Sequence, residues 1–326
     1  MSVAHLGRRA TLLLVPAMIV GAVMAGSGKS ASAEDTDPTA KNERCATRVS
    51  IAFTGKEASA AVLANPQGSI DTLLTDAAFI ERFSRFINGD FNETPGATSA
   101  EDSSYHMMKY VLEQKLPYKD MFLGQYRVAG DAQGNNVTVT ADPNGLGYFR
   151  SQPWQLRYAG NELEGYKLVT AYRIMWNTVG LNLVASTNVP GADISTAART
   201  SNPGCTGCHG PADKTAAAPW FALDRAAKVL TKVRRQNGMV TFTPPTEAPQ
   251  MVADKMVNDD KELVQALVDS PNFSFNACRL AFKFLYGRPE NVCESKVFDA
   301  CVTEFKSKGT IQAALASVAK DPGFCQ

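Results

Sequence analysis

The sequence predicts a mainly α fold. Three observations carry that prediction. Apolar residues recur at helical spacing in most segments after Asp71, glycines stand where helix ends belong, and neither a strand–helix–strand alternation nor a phosphate-binding glycine loop interrupts them. No fixed-period repeat is present. The 326 residues are 44% apolar and 20% charged. That composition fits a globular chain of one to three domains and argues against disorder or repeated membrane spans.

The first residues stand apart from the fold. "HLGRRATLLLVPAMIVGAVMAGSGKSASAED" places two arginines before an apolar stretch and small residues after it, the three-part layout of a secretory signal peptide. The apolar run from Thr11 to Ala25 is short for a span and contains Pro16, which favours cleavage over a retained anchor. "ASA" is a suitable cleavage site, so residues 1–33 read as the signal and Glu34 as the first mature residue. The Arg8-Arg9 pair also fits twin-arginine export. The mature chain keeps 30 of the 33 basic residues and all 32 acidic ones, a net charge of −2. Nothing in that balance points to nucleic acid.

The elements follow in order. "TDAAFIERFSRFINGDF" begins at Thr75 as N-cap and puts Phe79, Phe83, Phe86 and Ile87 on one face. "TSAEDSSYHMMKYVLEQKLPY" offers Ser99 as cap and acids in its first turn. Tyr105, Met108 and Leu112 share a face, and Pro117 ends the element. Residues 128–147 are rich in Gly, Asn, Asp and Pro and hold one alternating run, "VTVT", which predicts a long loop with a small hairpin. "EGYKLVTAYRIMWNTVGLNL" sets Val169, Tyr172, Trp176, Val179 and Leu183 at helical spacing, a stripe suited to a core helix or to the wall of a cofactor pocket.

A polar connector, "STNVPGADISTAARTSNPG", marks the expected domain boundary, with residues 34–195 before it and 196–326 after. "PWFALDRAAKVLTKVRRQNG" then reads as a basic helix closed by Gly238, and "TFTPPTEAPQ" as a Pro-rich loop. The tail reads as three or four short helices with Gly287 and Gly309 as C-caps. Cys278, Cys293, Cys301 and Cys325 crowd this tail, and in an exported chain they predict disulfides stapling a small helical unit. Two bonds among four cysteines allow three connectivities. Cys45 is either free or pairs with one of the four and leaves another unpaired.

"NPGCTGCHGPAD" carries the chemistry. Cys205, Cys208 and His209 form C-x-x-C-H, the attachment signature of c-type haem. Two thiols three residues apart add across the two vinyl groups on one porphyrin edge, and the adjacent histidine reaches the iron. Composition alone produces this pattern in roughly one chain in a thousand. A zinc corner needs a further Cys or His pair, and no second C-x-x-C or H-x-x-x-H exists. A thioredoxin-type dithiol needs a βαβ context that is missing. One covalent haem c, with His209 as proximal ligand, is therefore the expectation. Asp213 and the "AAAPWF" carbonyls are candidates to accept the other imidazole N–H.

The second axial position decides the chemistry, since His/Met ligation suits electron transfer and an open site permits small-molecule activation. Met251 is the first candidate, with Met256, Met239 and His106 as alternatives. Met251 and Met256 lie 42 and 47 residues past His209, near the end of the Pro-rich loop. Arg225, Lys228, Lys232, Arg234 and Arg235 follow the motif, as a solvated helix face or as a basic rim that steers an acidic partner.

Beyond the motif the chain resembles the planctomycete-type bacterial haem-c proteins. "LLTDAAFIERFSRF" and "VLEQKLPYKDMFLGQYRV" look like that group's region before the haem. "GYFRSQPWQLRYAGNELEGYKLVTAYRIMWNTVGLNL" with "CTGCHGPAD" resembles its haem-bearing centre, and "ACRLAFKFLYGRPE" with "IQAALASVAKDPGFC" its C-terminal helices. The resemblance covers roughly residues 70–326. It implies a helical N-terminal region and a cytochrome c-like haem region. The group often carries a methionine three residues after the haem histidine, where this chain has Ala212. The expectation is an exported mono-haem cytochrome, periplasmic or extracellular, soluble after cleavage and passing electrons to a redox protein partner. A peroxidase-like haem enzyme using His106 and a haem-stabilised interaction module are the alternatives.

Overall fold

The computed structural model describes residues 37–96, 99–158, 167–182, 219–236 and 239–326. Among them the chain is mainly helical, with thirteen α-helices and three two-stranded hairpins. No helix among the described residues is long and apolar enough to cross a membrane.

Helix α1 (Pro38–Thr54) starts from Asp37, whose carboxylate accepts from Thr39 N at 2.9 Å, with Pro38 in the first turn. It ends at Gly55, where φ is +69°. Two short helices, α2 (Ala60–Ala64) and α3 (Ile70–Leu73), lead to α4 (Ala77–Phe91). The N-cap of α4 is Asp76, one residue beyond the predicted Thr75. The Asp76 carboxylate accepts from Ala78 N at 2.7 Å, while Thr75 Oγ1 donates back to Thr72 O at 2.8 Å. A charged acceptor makes the stronger bond to an open helix N–H. Phe79, Phe83, Ile87 and Phe91 are buried, and the predicted Phe86 is half-buried.

Helix α5 (Ser103–Glu113) also starts later than predicted, with Asp102 at the cap position instead of Ser99. The Asp102 carboxylate turns outward. It accepts from Asn88 Nδ2 at 2.8 Å, Asn92 Nδ2 at 3.1 Å and Gly96 N at 2.9 Å, and so pins the turn that precedes α5. The buried face carries Met107, Met108, Val111 and Leu112. Tyr105 is rotated off it and donates to Glu81 Oε2 at 2.6 Å. After α6 (Asp120–Leu123), the predicted hairpin forms: β1 (Tyr126–Ala129) pairs antiparallel with β2 (Thr138–Ala141), Val128 opposite Val139.

Helices α7 (Gln152–Arg157) and α8 (Leu168–Val179) follow. The core face of α8 is Thr170, Ala171, Ile174, Met175, Asn177 and Thr178. The described part of the predicted stripe lies beside that face, and Leu183 lies outside the described residues. Val169 is exposed, and Tyr172, Trp176 and Val179 are half-buried. Polar Asn177 takes the core side because Tyr148 OH accepts from its amide at 2.6 Å.

The predicted long basic helix is a helix and a strand. Helix α9 (Pro219–Lys228) stops at Lys228, and β3 (Lys232–Gln236) pairs antiparallel with β4 (Met239–Thr243). β-branched Thr231, Val233, Val240, Thr241 and Thr243 favour the ladder over a further helical turn. The predicted closing residue, Gly238, lies outside the described residues. A second hairpin joins β5 (Gln250–Val252) to β6 (Lys255–Val257).

Four helices complete the chain: α10 (Asp260–Val268), α11 (Pro271–Tyr286), α12 (Ser295–Lys308) and α13 (Ile311–Ala319). Gly287 and Gly309 cap α11 and α12 at φ +69°, as their positions predict. Only one disulfide lies within this tail, Cys278–Cys301, between α11 and α12. The other joins Cys45 of α1 to Cys325 in the last turn, 280 residues apart, and Cys293 is free and exposed. Of the two alternatives for Cys45, the structure takes the second: it pairs with a tail cysteine and leaves another, Cys293, unpaired.

Residues 37–326 form one unit. The expected boundary after residue 195 lies outside the described residues. Described elements from both sides of it share one core: Phe122 meets Phe273 at 5.8 Å, Tyr118 stacks on Phe273 at 5.6 Å, and Asn276 Nδ2 donates to Asn177 O at 3.3 Å and Thr178 O at 3.2 Å.

Replacing both Cys278 and Cys301 by serine is expected to cost about 3 kcal/mol, the chain-entropy value for a loop of that size. Replacing Cys45 and Cys325 should cost more, because the loop they close is over ten times longer. Urea unfolding of the two double variants checks the order. Non-reducing peptide mapping should give a Cys45–Cys325 crosslink and an alkylatable Cys293.

Candidate functional site

Cys205, Cys208 and His209 lie outside the described residues, with Asp213 and Ala212. The described elements on either side of their segment are α8, which precedes it, and α9, which follows it. These two helices pack against each other, and β5 packs on α9.

Met251, the first distal candidate, sits in the middle of β5, and Met256 in β6. They are direct cross-strand partners, so their side chains share one face of the hairpin. The sequence places them near a loop end; the structure places them in a ladder, at 44% and 54% exposure. Met239 opens β4 at 69% exposure. None of the three is core filler, so each thioether is free to meet a ligand.

His106 is different. It lies in the first turns of α5, half-buried, with its ring edge-on to Tyr105 at 4.9 Å. Its Nε2 is 3.1 Å from Ser99 O. Burial lowers its proton affinity, opposed in part by that hydrogen bond. The imidazole is committed to holding the turn before α5.

The remaining cysteines bear on the metal question. Cys45, Cys278, Cys301 and Cys325 are consumed in disulfides, and Cys293 is alone and exposed. No group of three His, Cys, Asp or Glu among the described residues is arranged to hold a metal ion. A zinc site built on Cys205 and Cys208 would have to find its other ligands elsewhere.

The expected basic rim is dispersed. Arg225 and Lys228 stand in the last turn of α9, and Lys228 Nζ pairs with Glu247 Oε2 at 2.9 Å. Lys232 and Arg234 lie two residues apart on β3 and so share one face of the strand, apart from the α9 pair.

One feature carried no sequence signal: an open groove of about 1430 Å³ bounded by α7, the β1–β2 hairpin and the β3–β4 hairpin. Arg127, Arg150, Arg157 and Arg234 line it beside apolar Val128, Val233 and Phe242. Arg150 Nη2 donates to Asp260 Oδ1 at 2.7 Å, and Arg157 Nη1 to Glu101 Oε2 at 2.7 Å. Burial pushes the Asp260 carboxyl up, and the Arg150 charge opposes that shift. Arg173 of α8 pairs with Glu93. The pairing partners are up to 110 residues apart in sequence, which is why spacing alone does not reveal the groove.

Comparison with protein-family models, with characterised proteins and with solved structures gave no match. The site therefore rests on its own residues.

His106 is expected to titrate below the usual value of about 6.5. A histidine with a lowered folded-state value leaves stability intact above the unfolded value and loses it as pH falls from there toward the folded value. His106→Gln should thus flatten the acid side of the stability profile below about pH 6.5. NMR titration of the imidazole and urea midpoints from pH 7 to pH 5 check both.

Proposed function

We propose that the chain is an exported mono-haem c-type cytochrome that carries electrons, of the kind its resemblance to the planctomycete-type haem-c proteins implies. Cys205 and Cys208 would form the thioethers and His209 would bind iron on the proximal side. The observation that carries the reading is the C-x-x-C-H motif itself. Four of the five other cysteines are joined in two disulfides and the fifth, Cys293, is exposed and far from the motif in sequence, so the motif is the one place where two thiols stand at haem-attachment spacing. Two disulfides also suit an oxidising compartment, where such thioethers are made.

The donor set fits. Three methionine thioethers downstream of the motif are exposed, and a soft thioether opposite an imidazole holds iron at a raised potential suited to electron transfer. Met251 remains the first choice, since its strand packs on α9, the helix that follows the motif. Met256 shares its face and Met239 is the next alternative. His106 is the weaker donor, because binding iron through Nε2 would cost the Ser99 contact. The half-buried Tyr172 and Trp176, 6.0 Å apart on α8, give the helix before the motif an apolar flank suited to a porphyrin face. When bound, the haem supplies a one-electron couple. The chain's part is to hold it, tune it through the axial ligand and exclude water.

Intact mass of the exported protein should show one covalent haem, lost in Cys205→Ser/Cys208→Ser. The ferric spectrum should carry the weak far-red band of Met–iron ligation. Met251→Leu should abolish that band and give high-spin features, while Met239→Leu and His106→Gln keep it. A haem-free chain after export with an intact haem-attachment machinery would sink the reading. A high-spin wild-type spectrum would sink the methionine assignment.

A further inference from the structure

The groove beside α7 adjoins a recess of about 20 Å³, and the two share Gln155, Thr231 and Val233 as walls. That is room for one water-sized group. Trp154 lines the recess at 3% exposure. Its indole N–H can only donate, and it has no acceptor among the described residues. The Nε atoms of Arg150 and Arg157 are likewise buried without an acceptor. Trp154 and Arg157 lie three residues apart on α7, which puts them on one side of it, and Arg150 stands just before its cap. A buried donor without a partner is costly to leave, so three gathered around the start and body of one helix call for an acceptor.

The surroundings select its charge. The acid at the recess, Asp260, is already held by Arg150 at 2.7 Å. Arg127, on the groove wall, has no carboxylate partner among the described residues. Val128, Leu156, Val233 and Phe242 give the outer groove apolar surface. The groove's other acids are also held: Glu93 by Arg173, Glu101 by Arg157, and Asp131 and Asp142 by nearby N–H groups. Spare donors within and apolar surface beside them describe a site for an oxygen anion on an organic body.

We propose that this groove binds an organic carboxylate, one oxygen of which enters the recess and accepts from Trp154 Nε1. The proposal does not depend on the cytochrome reading. The carboxylate comes either from a free small molecule or from a propionate of the chain's own haem, and the test separates the two.

The full-length chain is labelled with ¹⁵N and titrated with benzoate, with neutral benzamide as control, in the wild type and in haem-free Cys205→Ser/Cys208→Ser. The readout is the indole N–H resonance of Trp154, assigned by its loss in Trp154→Phe, or by elimination with Trp176→Phe and Trp220→Phe if that variant does not fold. In the haem-free chain benzoate should shift the resonance saturably, benzamide should not, and Arg127→Gln should weaken binding about tenfold. If wild type carrying haem refuses benzoate, the bound oxygen belongs to the haem. If it binds benzoate equally, the carboxylate is a free ligand. Should wild type carry no haem by mass, the two chains respond alike and the cytochrome reading alone fails. No saturable benzoate shift in the haem-free chain, or an equal shift with benzamide, overturns the proposal and leaves a single water as the occupant.

Discussion

The structure hangs on the tie between its first described helix and its last turn. The Cys45–Cys325 bond closes nearly the whole chain, and side chains reinforce it. The Arg48 guanidinium lies 4.8 Å from the Phe324 ring centre and 5.2 Å from that of Tyr286, and its Nη1 donates to Gln326 O at 3.0 Å. Lys320 Nζ pairs with Asp71 at 2.7 Å, and Gln67 caps Lys320 O at 3.4 Å. With the ends held, the Phe79, Phe83 and Phe86 rings of α4 can close around Phe284 of α11, at 5.0 to 6.1 Å. One core then serves residues far apart in the chain, and the loop-closure entropy of that long-range packing is removed by the covalent bond.

That frame fixes the helices on either side of the motif. Helix α8 is anchored from below, where Asn276 of α11 donates to the carbonyls of Asn177 and Thr178. Gly180 caps α8 at φ +71°, and a Cβ there would lie 2.6 Å from Asn276 Oδ1, so the cap and the anchor need a glycine together. Helix α9 packs on α8 and on β5. A redox group attached between them would be borne by rigid elements, which lowers the rearrangement that accompanies a change of charge. The exposed methionines sit on a hairpin joined to that same assembly, and this is what gives the electron-carrier reading its distal donors.

Much of the fold was legible from local pattern. The helices over residues 77–91 and 271–286, the small hairpin around "VTVT" and the glycine stops at 287 and 309 follow from periodicity and from glycine's tolerance of positive φ. Errors arose where two local signals competed. Basic residues after Lys228 fit a helix by composition, yet the β-branched run from Thr231 found a partner strand across a turn. Thr75 and Ser99 are good caps in isolation, yet Asp76 offered α4 a charged acceptor, and the Asp102 carboxylate fixed the turn before α5 so that the helix begins after it. On α8 the predicted stripe was the flank, because a distant tyrosine hydroxyl accepts from the Asn177 amide N–H and draws that residue to the buried side.

The sequence by itself determined what is local and chemical: the helical class, and a C-x-x-C-H whose reactive groups lie within five residues and so need no fold to be recognised. Tertiary structure alone decided which tail cysteine Cys45 takes, that Met251 and Met256 stand exposed beside α9, and that Arg150 and Arg157 border a groove and Trp154 its adjoining recess with donors to spare. The residues in each case are held by elements tens to hundreds of positions away. Their meeting is set by how the whole core closes, which no short window of the sequence contains.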